Sequence, residues 1–200
     1  MTVLTAAGEY ESKFECGRFT LKKSLIVIGC IRHSRGILIK IELYHASKFG
    51  NGAMVAEELR RVMETKGHQV NVHHIDKSKP KELPLADLYV FGSPTRFGGP
   101  LGSMRRFIKK VSLPSGTKYA IFATHGDAVP DKKTGQMPTE EELNRWRKTI
   151  PILDEILREK GLVKVADKIF LVSGEKMKGP LEEGWQGKVE EFAATILSSS

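Results

Sequence analysis

The sequence is poor in cysteine and has no long apolar run. Among 200 residues the only cysteines are Cys16 and Cys30, so residues 31–200 contain no thiol and no disulfide. Such sparing use of cysteine is typical of reducing compartments, and we predict a cytoplasmic protein. No apolar stretch approaches the roughly 18 residues that a spanning helix needs, and we therefore predict no membrane span.

Several nucleotide-binding motifs are also missing. The sequence contains neither G-x-G-x-x-G nor G-x-x-x-x-G-K-[ST], which excludes the usual dinucleotide and nucleoside triphosphate sites. The third predicted strand ends at Gly92-Ser93-Pro94, where a receiver domain would need a phosphoacceptor aspartate. A cysteine phosphatase is excluded because residues 31–200 offer no thiol nucleophile. A mononucleotide remains compatible with the sequence.

The charge balance is basic but lacks a clustered stripe. Lysine and arginine number 32 against 24 acidic residues, which gives a formal net charge of +8. A weakly basic surface can steer anionic ligands or acidic partners towards the protein. Without a basic stripe we predict no nucleic-acid partner.

From residue 37 onwards, strand-like and helix-like patterns alternate. Val55, Leu59 and Val62 recur at helical spacing, and Gly67 is suited to end that helix. Thr139 and Glu142 form a capping-box pattern, and Pro151 is expected to kink or split the helix that follows. Helical spacing predicts Trp146 on the inner side of that helix and Arg105 on a solvated face of the preceding helix. The predicted strands are 37–44, 69–75, 88–91, 119–123 and 168–172. Such alternation predicts a parallel sheet covered by helices on both sides.

Residues 1–36 do not fit this pattern. We predict a poorly ordered extension, with one extra strand at 25–31 as an option, followed by a domain over residues 37–200. The stretch from Lys22 to Cys30 has the basic start, apolar run and cysteine of a lipoprotein signal. Its apolar run is shorter than such a signal usually has, which favours the extension.

A candidate phosphate loop follows the first predicted strand. Its sequence is Ser47-Lys48-Phe49-Gly50-Asn51-Gly52, and it opens the first helix. Free N–H groups at a helix start converge on an anion, and the helix dipole favours negative charge there. Ser47 can add a hydroxyl and Asn51 an amide, while Gly50 and Gly52 let the backbone approach closely.

Two strings together resemble the flavodoxin family. They are Ser-x-x-Gly-Asn-Gly after the first strand and Gly-Ser-Pro-Thr-Arg-Phe-Gly-Gly after the third. The run from Pro94 to Gly98 is similar to flavodoxin-like NAD(P)H:quinone oxidoreductases, and Thr124-His125-Gly126 is similar to their loop after strand four. The resemblance implies an α/β three-layer sandwich with a five-stranded parallel sheet of order 2-1-3-4-5.

The resemblance also implies noncovalent FMN as the cofactor. The residues implied for the phosphate are Ser47, Phe49, Gly50, Asn51 and Gly52. Those implied along the isoalloxazine ring are Pro94, Thr95, Arg96, Phe97 and Gly98, with Thr124, His125, Gly126 and Asp127 at the opposite edge. No metal ligands and no catalytic residues are implied.

Two positions depart from the family pattern. The family loop often ends in a threonine that contacts the phosphate, whereas Gly52 has no hydroxyl, so backbone donors must compensate. Flavodoxins usually stack an aromatic ring on the flavin from the loop after strand four. Here His125 is the only aromatic ring between Phe122 and Trp146. One flavin face would then stay open, which favours an enzyme that admits nicotinamide or quinone.

Three functions remain open from the sequence. The first is an electron carrier that serves a redox partner protein. The second is an FMN-dependent enzyme that uses NAD(P)H to reduce quinones. The third is a flavin-free interaction module that retains the fold. The sequence leaves the oligomeric state open.

Overall fold

Parallel β-strands form the centre of the molecule. The computed structural model describes residues 38–131, 133–173 and 178–199. The predicted extension 1–36, with its optional strand at 25–31, lies outside the described residues. The described strands are β1 (Lys40–His45), β2 (Gln69–His74), β3 (Leu88–Arg96), β4 (Gly99–Pro100), β5 (Lys118–Gly126) and β6 (Val163–Val172).

The sheet has the order β2-β1-β3-β5-β6, and all four neighbouring pairs on this path are parallel. Strand β4 has two residues and pairs antiparallel with the end of β3. If β4 is set aside, the order is the predicted 2-1-3-4-5. The predicted fold class is therefore confirmed.

The described residues form five α-helices, and a short 3-10 turn, Ile75–Lys77, follows β2. The helices are α1 (Asn51–Thr65), α2 (Gly102–Lys110), α3 (Glu140–Trp146), α4 (Thr149–Glu159) and α5 (Trp185–Ser198). Helices α1 and α5 bury their apolar residues in one core, and α2 and α4 bury theirs in a second core. Strand residues alternate between these two cores because successive side chains point to opposite faces. Within the described part of the chain, every helix is too short or too polar to cross a membrane.

The ends of several helices follow the predicted signals. Gly67 has φ +88° and stops α1, and its N–H donates to the Glu64 carbonyl. Thr139 and Glu142 form the predicted capping box of α3. The predicted break near Pro151 is confirmed, but it falls at 147–148, before the proline. Pro151 lies in the first turn of α4, where no N–H is needed for a hydrogen bond within the helix.

Three predicted details are wrong. Strand β3 runs on to Arg96, because β5 pairs with it as far as Pro94 and β4 pairs with Thr95 and Arg96. Strand β6 begins at Val163 rather than 168, because β5 pairs with its polar first half. Helical spacing placed Trp146 on the inner side of its helix. The helix ends at that residue and leaves the side chain 61% exposed.

Candidate functional site

The carboxyl ends of three adjacent strands meet at one edge of the sheet. His45, at the end of β1, lies opposite Gly92 of β3. Further along β3, Pro94 lies opposite Thr124 of β5. Ligands of open α/β sheets bind at this edge, where the strand order reverses. The predicted site residues all follow or end these three strands.

The predicted phosphate loop forms a tight turn into α1. The Gly50 N–H donates to the Ser47 hydroxyl over 3.1 Å, and the Met54 N–H donates to the Gly50 carbonyl over 2.9 Å. Gly50 has φ +94°, a conformation that side chains of L-residues rarely adopt, so glycine is required there. The N–H groups of the first turn have no carbonyl partner within the helix, as at any helix start.

A hydrogen bond from the Asn51 side chain connects this loop to a residue that is distant in the sequence. Its side-chain amide donates to the Gly179 carbonyl over 3.0 Å, and the residue is 8% exposed. The amide is therefore engaged in the fold, whereas the sequence suggested it as a donor to a phosphate. Asn51 can still offer its backbone N–H in the first turn of α1.

His45 lies buried directly before the loop. Burial, together with the neighbouring His74, lowers the pKa of His45 to about 4. The His45 ring meets the edge of the His74 ring at a centroid distance of 5.2 Å. Nδ1 of His45 has no hydrogen-bond partner among the described residues. His45 is therefore neutral at physiological pH.

The end of β3 turns sharply back into β4. Phe97 and Gly98 form this turn with φ +49° and +81°, and Phe97 is 95% exposed. The Gly98 carbonyl accepts from the Lys148 N–H over 2.9 Å, which ties the turn to the junction of α3 and α4. The guanidinium of Arg96 lies 5.7 Å from the centroid of the Phe97 ring.

Thr95 and Thr124 lie beneath this turn rather than in the open. They are 5% and 2% exposed. The Thr95 hydroxyl is 2.8 Å from that of Thr149, itself a buried residue. The pleat of β3 explains the arrangement, because Thr95 points inward where Arg96 and Pro94 remain partly exposed.

His125, at the end of β5, contacts two carbonyl oxygens. Its Nδ1 lies 2.6 Å from the Gly126 oxygen and its Nε2 lies 3.2 Å from the Trp146 oxygen. A carbonyl oxygen only accepts hydrogen bonds, so the ring nitrogen is the donor wherever one of these contacts is a hydrogen bond. The His125 ring therefore bridges β5 and the end of α3.

A cleft of about 1430 Å³ opens between these segments. The predicted residues that line it are Arg96, Phe97, Gly98, His125, Gly126 and Asp127. Thr95, Thr124 and Pro94 are not in its wall. A separate pocket of about 450 Å³ is lined by Ser47 together with Lys48 and Arg106. The structure thus brings six of the residues predicted along the isoalloxazine ring together in the cleft wall, and the predicted phosphate loop lies outside the cleft.

Trp146 and Arg105 are among the residues of the cleft wall that sequence reasoning missed. Both had been assigned by helical spacing, Trp146 to the core and Arg105 to a solvated helix face. The exposed Trp146 ring supplies an aromatic surface that the loop after β5 lacks. One signal was available, because the helix break that Pro151 indicates leaves a preceding tryptophan at a helix end, where its side chain can avoid burial.

The family is decided by a match that covers more than half of the chain. The family model described as flavodoxin domain matches residues 43–165. The chain belongs to the flavodoxin domain family. In this flavodoxin-domain chain, the match begins within β1 and ends within β6, so it includes the phosphate loop and the cleft segments.

Solved flavodoxins share the fold. A flavodoxin from the domain Archaea is 21% identical with a TM-score of 0.56, over 80% of this chain and 96% of that one. Flavodoxin 2 from Bacillus cereus is 22% identical with a TM-score of 0.59, over 80% of this chain and 99% of that one. At such identities the likeness establishes the fold alone.

A curated relative is similar over a shorter stretch. It is named NAD(P)H dehydrogenase (quinone), from Geotalea daltonii, and is 43% identical over 61 residues. The match covers 25% of this chain and 30% of the relative. The chain therefore spans less than a third of the curated relative that it matches.

Proposed function

We propose that this flavodoxin-domain protein binds FMN noncovalently at the carboxyl edge of the sheet and transfers electrons. The observation that carries the proposal is the shared edge. A helix start suited to an anion and a wide cleft with exposed aromatic rings lie at the ends of adjacent strands. A mononucleotide with a phosphate and a flat ring has the chemistry for both parts.

The phosphate loop fits a phosphate group. A Cβ atom at Gly52 would lie 3.5 Å from the Ser47 hydroxyl and would fill the space beside it. The glycine keeps that space open for a ligand atom. Because Ser47 accepts from Gly50, its own hydroxyl hydrogen remains available to donate. Backbone N–H groups of the first turn of α1 supply the other donors.

The cleft fits an aromatic ring. Phe97 and Trp146 are exposed on its wall, and both can contact a flat ligand by stacking. His125 lines the same cleft, and its Nε2 lies 3.2 Å from the Trp146 carbonyl oxygen. The buried Thr95 and Thr124 support the wall from beneath and make no direct contact in this proposal.

Bound FMN supplies the redox chemistry, accepting and releasing electrons one or two at a time. The protein residues hold and orient it. The Lys148 N–H fixes the Gly98 carbonyl, so the turn presents a rigid edge to the ring. Charged side chains in the wall, such as Arg96 and Arg105, place positive charge near the ligand and favour a more negative bound state.

A second candidate is an FMN-dependent NAD(P)H:quinone oxidoreductase. Ligand pockets usually measure about 300–1000 Å³. The cleft, at about 1430 Å³, leaves room for a second flat molecule beside a flavin ring. The name of the curated relative points in the same direction. For either function we propose a cytoplasmic location, in line with the sparing use of cysteine.

The proposal is tested by a matched pair of glycine variants. Gly50 and Gly116 have φ +94° and +82°, and neither would bring a Cβ within 4 Å of another atom. Alanine imposes a similar backbone strain of about 1–2 kcal/mol at each. We expect Gly50→Ala to weaken FMN binding about tenfold and Gly116→Ala to leave it unchanged. Quenching of flavin fluorescence measures both.

The ligand series completes the test. Riboflavin lacks the phosphate and should bind about a hundredfold more weakly than FMN, which corresponds to two charge-assisted hydrogen bonds. Equal affinities for the two ligands would place the flavin away from the phosphate loop. A protein that takes up neither ligand would support the flavin-free interaction module instead.

Anaerobic titration with NADPH separates carrier from enzyme. If the FMN-loaded protein bleaches rapidly and turns over when a quinone is added, the enzyme is supported. If NADPH leaves the flavin spectrum unchanged while a chemical reductant bleaches it, the carrier is supported.

A further inference from the structure

Among the described residues, three arginines of the carboxyl edge have no ion pair, whereas Arg145 in the cleft wall pairs with Glu141. Arg60 and Arg61 on α1 and Arg158 on α4 each pair with a carboxylate of their own helix. Arg96, Arg105 and Arg106 at the carboxyl edge have no carboxylate within 4.0 Å among the described residues. The N–H donors of these three guanidinium groups therefore remain available to the carboxylates of an external partner.

Exposed aromatic rings lie among these cations. Phe49 is 42% exposed, with the ammonium groups of Lys48 and Lys178 at 5.9 Å and 5.7 Å from its ring centroid. The Arg96 guanidinium likewise lies over the Phe97 ring. Exposed aromatic side chains beside arginine have the composition of interface hot spots.

Most of these groups line two pockets at the carboxyl edge, the cleft and the smaller pocket beside the phosphate loop. Arg106 and Lys48 line the same pocket, and Lys48 in turn contacts Phe49. Arg105, Arg96 and Phe97 line the cleft, and Arg105 neighbours Arg106 along α2. We call this surface, made up of Lys48, Phe49, Arg96, Phe97, Arg105 and Arg106 with Lys178 at its border, the basic rim.

Carboxylates near the basic rim are engaged locally. Asp131 accepts from the N–H groups of Lys133 and Thr134, and these bonds lower its pKa. Glu142 is held in the capping box of α3. Asp127 accepts from the N–H of Ala128. None of them neutralises a rim cation by direct contact within the described chain.

We propose that the basic rim is a docking surface for an acidic redox protein, which would approach the edge of the bound flavin. The electron-transfer role rests on the proposed function. Charge complementarity selects the partner, because unpaired arginines bind surface carboxylates in a bidentate geometry. A protein partner is favoured over an anionic membrane because the rim surrounds a recessed cleft, which a protruding protein loop can enter and a flat bilayer surface cannot.

The test uses two probe proteins of similar size and opposite charge, an acidic [2Fe–2S] ferredoxin and a basic c-type cytochrome. We expect the full-length protein to bind the ferredoxin at low salt and to lose most of that affinity at 300 mM salt, where exposed charges are screened within about 6 Å. Binding of the cytochrome alone would overturn the proposal.

Matched variants separate the rim from net charge. Arg105→Gln/Lys178→Gln removes two rim cations, and Lys66→Gln/Lys109→Gln removes two from the other ends of α1 and α2. We expect the rim variant to weaken ferredoxin binding about tenfold and the control about twofold at most, since exposed charge contacts are worth up to about 1 kcal/mol each. Equal effects of the two variants would contradict a localised docking surface.

Two further measurements keep the outcomes distinct. FMN affinity of each variant is measured by fluorescence, so loss of flavin is not mistaken for loss of docking. Binding of the ferredoxin by a protein that takes up no FMN would preserve the docking surface and overturn the proposed function. Binding to vesicles with phosphatidylserine, without binding to the ferredoxin, would assign the rim to a membrane and overturn the docking proposal.

Discussion

The buried residues beneath the cleft wall, here called the floor, and the exposed residues of the wall have opposite roles. The floor residues Gly92, Thr95 and Thr124 are buried, and the Thr95 hydroxyl is bonded to another buried side chain. The wall residues Phe97 and Trp146 leave most of their surface exposed. Adjacent positions of a single motif can therefore serve stability and binding separately, and a substitution should reveal which role each position has.

Gly92→Ala should have the largest effect, on the floor. A Cβ atom there would lie 2.0 Å from Cζ of Phe122, which is fully buried on the adjacent strand. Overpacking of this kind destabilises by about 3 kcal/mol or more. Urea unfolding measures the loss. Gly99→Ala is the control, because its Cβ would meet only the end of the Ile152 side chain at 3.5 Å. Equal stabilities of the two variants would show that the packing around Gly92 rearranges to accept the added methyl group.

Acidification should have the second largest effect, through His45. Its pKa is about 4 in the folded protein and 6.5 in the ordinary state, so the unfolded chain binds the proton first. Stability is therefore complete above about pH 6.5 and falls as the pH drops towards 4, by about 3 kcal/mol in total.

His45→Phe keeps a ring in the same position and removes the titration. Denaturant unfolding between pH 4 and 7 should therefore give a flatter profile for this variant than for the wild type. The remaining slope reports other groups, among them His68, whose pKa burial also lowers. Parallel profiles for the two proteins would show that His45 does not carry the effect.

Thr95→Val should cost about 1–2 kcal/mol, because it leaves the buried Thr149 hydroxyl without a partner. The double variant Thr95→Val/Thr149→Val removes both hydroxyl groups and should recover much of the loss. Thermal unfolding of the four proteins in this cycle gives the coupling energy. An additive result would mean that the two floor hydroxyls act independently.

Trp146→Ala should have the smallest effect on stability, below about 0.5 kcal/mol, because the side chain is 61% exposed. If its ring stacks on the flavin, FMN affinity should fall about fivefold. Fluorescence titration with FMN measures the change, and Trp146→Phe should restore most of it. A large loss of stability with unchanged FMN affinity would show that Trp146 contributes to packing rather than to flavin binding.

The alternation of strands and helices could be predicted from the sequence pattern, and the order of the strands from the resemblance to the flavodoxin family. Apolar periodicity and Gly67 are local signals, and local signals are sufficient to place helices and strands. Which residues of the run from Pro94 to Gly98 are buried in the floor, and which are exposed on the wall, could not be predicted. It depends on β4 extending β3, and on Thr149 reaching Thr95 from 54 residues away.

The partner of Asn51 could not be predicted either. Nothing near Asn51 in the sequence indicates that its amide bonds a carbonyl 128 residues later. Exposure of Trp146 likewise depends on where its helix ends, which spacing alone leaves uncertain by several residues.

The bond between Asn51 and Gly179 has a consequence for biosynthesis. A ribosome makes the phosphate loop early and residue 179 much later, so a nascent chain holds the loop without this fastening for most of its synthesis. During that time, the turn at Gly50 depends on Ser47 alone for its side-chain hydrogen bond. If the protein binds FMN as proposed, loading of the cofactor would therefore follow closure of the sheet rather than guide it.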